Sequence, residues 1–469
     1  MSVFIREFYM KACVGIWGFG VTGKAAAHFF KKKGYDIWVM DSKTQALQEA
    51  QSLGLRVTTQ ENICSFLQQS DLLFASGGIN VKEHYASFKA KWIAEVDLFA
   101  QEWRQNFPQK RIIAITGTVG KTTVTHLLHR LLNTLSGSEH TWLVGGNIGI
   151  PLFSLLEQVT RQTAGVVLEL SSFQLEYAKT FYPDIGIITN IYPNHLDRHG
   201  TMQEYLAVKI NLLKRIPQEG HIIAPYSLYN QILSLESPSK ICFFNEDNTF
   251  LKDFFFDKAD AYFLHKECVM RKFKTLQDTF SINLTSLAPI TFNINWLTLF
   301  LGAHALGFNM NTILNAAQSL SDIPKHRITY LGSHKGLSFY NDSKATVPES
   351  TLAAVKKLSG QYSSIHLLLG GESKGIDRSV LISKLQGSVT HIYCFGKEAV
   401  HLYTFCNKIN IPASFYATLD DAFHACVNQA PDQSCVLLSP AGSSYDLFKN
   451  YQERGDYFTY LTKQFMTES

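Results

Sequence analysis

Residues 111–123 read RIIAITGTVGKTT, and no other stretch constrains the fold as much. Ile112 to Ile115 is a short, β-branched apolar segment suited to a buried strand, and it breaks at Thr116-Gly117 into a turn. Beyond the turn, Val124, Leu127, Leu128, Leu131 and Leu132 fall on one face at helical spacing. Gly117 and Gly120 let the backbone bend so that successive N–H groups face an anion at the positive end of that helix. Phosphate suits this geometry. Lys121 supplies a flexible charge for terminal phosphates, and the Thr122 hydroxyl is placed to hold Mg²⁺. The common loop G-x-x-x-x-G-K-[ST] would need glycine at position 115, where Ile115 stands, so the match is T-G-x-x-G-K-T-T.

A chain of 469 residues exceeds what one core usually supports, so two or three domains are expected. With 46% hydrophobic and 17% charged residues it is globular, and a net charge of +4 with no basic block argues against nucleic acid. Eight cysteines without a C-x-x-C spacing argue against a zinc site or a disulfide framework and fit a reducing cytoplasm. The start, MSVFIREFYMKAC, has no apolar stretch long enough for export. Thr279 to Ser321 carries no Asp, Glu, Lys or Arg but is too polar to span a bilayer, and reads as a buried helix.

Near the start, Val14 to Trp17 runs into Gly18-x-Gly20-x-x-Gly23, an Ala-rich helix and the strand Asp36 to Met40, ending at Asp41. This matches a dinucleotide fingerprint, in which the acid holds a ribose hydroxyl. Taken alone it says NAD-dependent oxidoreductase, but UDP-sugars carry the same diphosphate, and packing without a ligand explains the glycines too. The strand Leu72 to Ala75 and the turn Ser76-Gly77-Gly78 complete a small unit by about residue 105.

Further on, Gly145-Gly146-Asn147-Ile148-Gly149 is a turn whose Asn touches substrate or merely tolerates a left-handed backbone. GVVLEL at 165–170 is an apolar strand with one acid, Glu169, which needs either a metal shared with Thr122 or a salt bridge to Lys or Arg. IGIITN at 185–190 opens into a loop with His195 and Asp197, at a strand end where α/β sheets place ligands. A Ser172, His195, Asp197 hydrolase triad lacks a G-x-S-x-G elbow. Lys209, on the next helix, reads by itself as solvent-facing, and residues 221–292 show no chemistry. The pattern restarts around Asp322 to Arg327, with Pro324 at a junction. Leu337 to Tyr340, Ile365 to Leu369, Ile392 to Phe395 and Val436 to Leu438 then predict a second open parallel sheet whose C-terminal edge binds ligand.

Seven strings in order carry a family resemblance: TGTVGKTT at 116–123, GNIG at 146–149, LELSSFQLE at 168–176, NHLDRH at 194–199, NDSKAT at 341–346, LLLGG at 367–371 and LLSPA at 437–441. Together they resemble the Mur ligases of peptidoglycan synthesis, and SSFQ is the version carried by members that add D-glutamate to UDP-N-acetylmuramoyl-L-alanine. The resemblance implies an α/β protein of three domains: an N-terminal Rossmann-like UDP-binding domain over 1–105, a central P-loop ATPase domain over 106–322, and a C-terminal Rossmann-like domain over 323–469. It implies a cytoplasmic monomer that makes an amide bond with ATP through an acyl phosphate.

On the same resemblance Gly117, Thr118, Gly120, Lys121, Thr122, Thr123, Arg327, Asp342 and Lys344 would hold ATP. Thr122, Glu169, His195 and a carbamylated Lys209 would hold two Mg²⁺ ions. Lys121, Asn147, His195 and Lys209 would be catalytic. Val21, Thr22, Asp41, Ser42 and Ser76 match the uridine-nucleotide pocket, and Thr346, Lys374, Ser444 and Tyr451 match D-glutamate contacts. Val119 stands where the family often has Asn, Gly77 for a frequent Pro, and Gly442 and Tyr451 for a common Cys and Phe. The family's H-N-x-x-N is degenerate, reading Phe292-Asn293-Ile294-Asn295. Folylpolyglutamate synthase shares the ATPase plan without the N-terminal unit. A non-catalytic nucleotide-binding regulator need not keep Glu169, His195 and Lys209 together.

Overall fold

The computed structural model describes residues 12–249, 251, 259–265, 268–272, 280–321, 325–373 and 375–467. The expected export-free N-terminal segment, the Asp322–Pro324 junction and Lys374 lie outside the described residues. The chain forms two compact units, Met1–Asn190 with Leu206–Ser321, and Ile191–Tyr205 with Asp322–Ser469.

The first unit contains two sheets. Strands β1 (Cys13–Trp17), β2 (Asp36–Met40), β3 (Arg56–Thr58), β4 (Leu72–Ala75) and β5 (Trp92–Ile93) form a parallel sheet ordered β3-β2-β1-β4-β5. Alternate side chains feed opposite faces: Val14, Ile16, Val39 and Phe74 pack with Phe30, whereas Trp38, Met40 and Leu73 pack with Phe66. Both faces are covered, which explains why these strands are apolar throughout instead of alternating.

The second sheet holds β6 (Arg111–Thr116), β7 (Thr141–Gly146), β8 (Thr163–Glu169), β9 (Ile185–Ile188), β10 (His221–Pro225), β11 (Lys240–Asn245), β12 (Asp260–His265), β13 (Cys268–Lys272) and β14 (Phe280–Asn283). Its order is β14-β13-β12-β11-β10-β9-β6-β8-β7, antiparallel only at β12-β13-β14. β6 lies between β8 and β9, where the strand order reverses, so the loop after β6 opens at the crevice that α/β sheets use for ligands. The helix Lys121–Ser136 buries Val124, Leu127, Leu128, Leu131 and Leu132, each contributing about 1.5–3 kcal/mol from apolar burial.

Two local expectations change. Gly145 and Gly146 end β7, so the turn begins at Asn147. The uncharged stretch read as one buried helix is the strand β14 followed by two helices, Asn293–His304 and Met310–Ala317. Gly307 (φ +96°) sits in the break between the helices, a backbone position glycine reaches without strain.

The second unit carries a sheet of β15 (Thr329–His334), β16 (Leu337–Asn341), β17 (Ile365–Gly370), β18 (His391–Phe395), β19 (Ala413–Tyr416) and β20 (Cys435–Leu438). The order is β15-β16-β20-β17-β18-β19, with only β15 antiparallel. The four strands read from sequence are its centre, and the edge strands β15 and β19 are additions.

Candidate active site

Gly117 (φ +141°) and Gly120 (φ +84°) give the loop after β6 its bend, and a Cβ on Gly117 would overlap the Thr189 hydroxyl. Not all the loop amides face outward as a simple phosphate cradle would have them. Thr118 N–H donates to the Asn190 carbonyl (3.0 Å) and Val119 N–H to Asn190 Oδ1 (2.8 Å). Asn190 Nδ2 donates back to the Val119 carbonyl (3.0 Å), as does the Thr189 hydroxyl (2.6 Å). Asn190 therefore grips both sides of the Val119 residue. The helix Lys121–Ser136 starts directly after Gly120, so its dipole adds positive potential at the end of this loop. Lys121 Nζ folds back onto the Thr118 carbonyl at 2.8 Å, and Thr122 and Thr123 are buried. Asn295, in the degenerate motif, brings Oδ1 to 3.2 Å from where a Gly120 Cβ would sit.

Beside this loop, Glu169 ends β8 and is 1% exposed. Asn147 donates twice to it, through its backbone N–H to the Glu169 carbonyl and through Nδ2 to Oε1, each at 2.8 Å. Asn147 is thus fastened to the strand acid, with positive φ confined to its neighbours Gly146 and Gly149. Oε2 of Glu169 is buried with no hydrogen-bond partner among the described residues. A buried carboxylate oxygen left this way fits a cation ligand.

Lys209 is 2% exposed, which overturns its solvent-facing reading. Its Nζ donates to Thr116 Oγ1 (3.1 Å), and that hydroxyl donates to the Leu170 carbonyl (2.8 Å). Burial, reinforced by the Lys121 charge and opposed by Glu169, holds the Lys209 amine well below the usual lysine range. Among the described residues no group of three or more His, Cys, Asp and Glu side chains forms a metal cluster.

At the N-terminal glycine turn, Gly23 packs so closely that a Cβ would overlap the Gly18 carbonyl, whereas the space at Gly20 is open. Both Asp41 carboxylate oxygens accept backbone amides, Oδ2 from Phe19 (2.7 Å) and Oδ1 from Lys43 (2.8 Å). The Ser76 hydroxyl donates to the Gly18 carbonyl at 2.8 Å. Asp41 and Ser76 therefore shape the turn. Val21 is 70% exposed at the start of the following helix, with Thr22 beside it, and Ser42 is exposed.

In the second unit, His195 adopts a left-handed backbone (φ +54°) at the head of the short helix Leu196–His199, its N–H bonded to Asn194 Oδ1 (3.0 Å). Strain of that kind gathers at functional positions. Arg327 lies between two further left-handed residues, His326 and Ile328. Asp342, 2% exposed, accepts from Ser439 Oγ (2.9 Å) and the Ile328 amide (3.3 Å). Burial pushes its carboxyl up to about 7 against the pull of Arg327. Lys344 Nζ stands 5.0 Å above the Tyr451 ring, Thr346 is half-buried and Ser444 is buried. The fully buried Arg454 donates to the Ser343 hydroxyl (3.0 Å) and carbonyl (2.7 Å) and to the Gly442 carbonyl (3.1 Å). Asn190, Thr189, Thr116 and Arg454 went unsingled in the sequence. Their role lies in contacts between distant loops, and the only hint was Asn190 closing an apolar strand.

Comparison with known proteins matches three family descriptions along the chain: "Mur ligase MurD-like, N-terminal domain" over 12–98, "Mur ligase middle domain" over 115–294, and "Mur ligase, glutamate ligase domain" over 326–442. The chain is 31% identical over 461 residues to a UDP-N-acetylmuramoylalanine–D-glutamate ligase of Acidobacterium capsulatum, covering 94% of each. It is also 31% identical to the enzyme of that name from Koribacter versatilis, covering 95% of this chain and 96% of the other. Among solved structures, UDP-N-acetylmuramate-alanine ligase of Thermotoga maritima shares the fold with a TM-score of 0.56 at 15% identity, over 98% of this chain and 100% of that one.

Proposed function

Because the chain belongs to the Mur ligase family, and is so an ATP-dependent amide-forming ligase, we propose that it joins D-glutamate to UDP-N-acetylmuramoyl-L-alanine in peptidoglycan precursor synthesis. The single observation that carries the chemistry is the assembly of the Lys121 loop, the Glu169–Asn147 pair and buried Lys209 around the end of β6. Folylpolyglutamate synthase and a nicotinamide dehydrogenase are disfavoured by the family match at both ends of the chain.

In this reading the substrate carboxylate takes the γ-phosphoryl group of ATP, and the D-glutamate amine then displaces phosphate from the acyl phosphate. Lys121 and the amides at the head of its helix stabilise the charge on the transferring group, which is where such reactions gain most. Bound magnesium supplies further positive charge there, with Thr122, Glu169 and Lys209 as its proposed holders. Glu169 suits that role through its orphaned Oε2, and Lys209 through an amine that burial holds well below the usual lysine range, which favours the uncharged form that carbamylation requires. His195, Arg327, Asp342 and Lys344 are proposed nucleotide or metal contacts. Val21, Thr22, Asp41, Ser42 and Ser76 are proposed for the UDP moiety, and Thr346, Lys374, Ser444 and Tyr451 for D-glutamate. The division at 1–105, 106–322 and 323–469, a monomeric state and a cytoplasmic site of action belong to the same proposal. Among the described residues no helix is long and apolar enough to cross a membrane.

Phosphate release with UDP-N-acetylmuramoyl-L-alanine, ATP and Mg²⁺ tests it, comparing D-glutamate with L-lysine, meso-diaminopimelate and L-alanine. Release with D-glutamate alone is expected. Release with another amine and none with D-glutamate would reassign the substrate.

A further inference from the structure

The turns that end β17 and β20 lock together. Glu372 and Ser443 form an antiparallel bridge, with Glu372 N–H donating to the Ser443 carbonyl (3.0 Å) and Ser443 N–H to the Glu372 carbonyl (2.8 Å). This bridge sits next to Ser444, the serine proposed to meet D-glutamate. The backbone around it is costly to hold, because Ala441 (φ +53°) is left-handed without being glycine.

A buried ion pair fastens these turns. Arg378 is 3% exposed, and its Nη1 donates to the Gly370 carbonyl and its Nη2 to the Gly371 carbonyl, both at 3.0 Å. Nη2 also donates to Glu398 Oε2 (2.5 Å), while Glu398 Oε1 accepts from the amide (2.8 Å) and hydroxyl (3.1 Å) of Ser373. From the β20 side, a Cβ on Gly442 would come within 3.0 Å of Arg378 Nη1, so the guanidinium fills the space that glycine leaves. Glu398 is carried by the turn after β18. One Arg–Glu pair therefore joins the ends of three strands at the edge where open α/β sheets place ligands.

We propose that Arg378, acting through Glu398, is a positioning residue for the amino-acid substrate: it fixes the Gly370–Ser373 turn and, through the Ser443 bridge, the placement of Ser444. This rests on the D-glutamate reading above. Lysine cannot reproduce the fork, since it offers one nitrogen where the guanidinium spreads its donors over two carbonyls and a carboxylate.

The test is steady-state kinetics of Arg378→Lys, Arg378→Ala and Glu398→Gln, with thermal midpoints measured in parallel. KM for the amine should rise about tenfold or more in Arg378→Ala, while KM for ATP and for the UDP substrate stay within about twofold, because displacement of a substrate-positioning group by a fraction of an ångström has effects of this size. Arg378→Lys should stay close to Arg378→Ala, and Glu398→Gln should move the same KM in the same direction by less. A lowered thermal midpoint with all three KM values unchanged means the pair is merely structural and overturns the proposal. If the Arg378 variants do not fold, Glu398→Gln decides it alone, and an unchanged amine KM there overturns it equally. If the wild-type enzyme uses another amine, the D-glutamate reading fails separately, and the selective rise is sought in that amine's KM.

Discussion

Asn147 and Glu169 are bonded to each other twice, backbone to backbone and side chain to side chain, both at 2.8 Å. The pairing leaves one Glu169 oxygen occupied and the other unpartnered, so the asymmetry of the carboxylate is set by the protein itself.

Replacing Asn147 with alanine should therefore reduce turnover far more than stability. Asn147 is exposed, so water can reach Oε1 once the amide is gone, and the stability loss should be about 1 kcal/mol. Glu169 loses its fixed orientation, and phosphate release should fall at least about tenfold. Thermal unfolding alongside the ligase assay separates the two effects. Full activity with a large stability loss would contradict the arrangement.

Gly117→Ala should abolish nucleotide binding. The new methyl would overlap the Thr189 hydroxyl at a backbone angle of +141°, and relieving this moves the loop, at roughly 1–3 kcal/mol. The thermal midpoint should fall without ligand, and the upward shift caused by ATP in the parent should vanish. An ATP-induced shift as large as the parent's would show that the loop does not bind nucleotide.

Much of this was legible in the sequence. A parallel strand buried on both faces has to be apolar, so β1, β2, β4, β6 and β8 announced themselves within a residue or two. The glycine loop and the lone acid of β8 were visible because polar chemistry is conspicuous in such strands. What stayed hidden depends on three-dimensional proximity. Asn190 gripping Val119, Arg454 tying Ser343 to Gly442, and Asp41 holding backbone amides are contacts between residues far apart in the chain. Lys209 reads as solvent-facing for the same reason, since a lysine at the end of a short helix gives no local sign that its amine meets Thr116.

With the Lys209 amine held well below the usual lysine range by burial, carbon dioxide should add to it. The enzyme equilibrated with ¹³C-bicarbonate should show a carbamate carbonyl resonance that is absent from Lys209→Met. The sign for stability follows from the lowered pKa. The folded state binds fewer protons than the unfolded chain, so the wild-type midpoint should rise relative to Lys209→Met as pH climbs from the folded value towards about 10.4 in carbonate-free buffer. A missing resonance together with a pH-independent difference would refute the neutral amine.

Asp342 predicts the opposite pH trend. Its folded value near 7 lies above the unfolded carboxyl at 3.8, so its contribution is fully present below the unfolded value and is lost as pH rises through about 7. Asp342→Asn removes that dependence and should be the more stable protein at pH 8, by at most on the order of 4 kcal/mol, with the gap closing below about pH 4. Thermal midpoints of the two proteins across this range are the measurement. A gap that stays constant with pH would mean that Asp342 ionises freely.

The Thr116 hydroxyl has a single hydrogen, and it is directed at the Leu170 carbonyl. Towards Lys209 it can offer only lone pairs, which an ammonium, an uncharged amine and a carbamate N–H can all satisfy. This contact is indifferent to the chemical state of the nitrogen, and the lysine can be rebuilt into an acid without any rearrangement of the threonine that meets it.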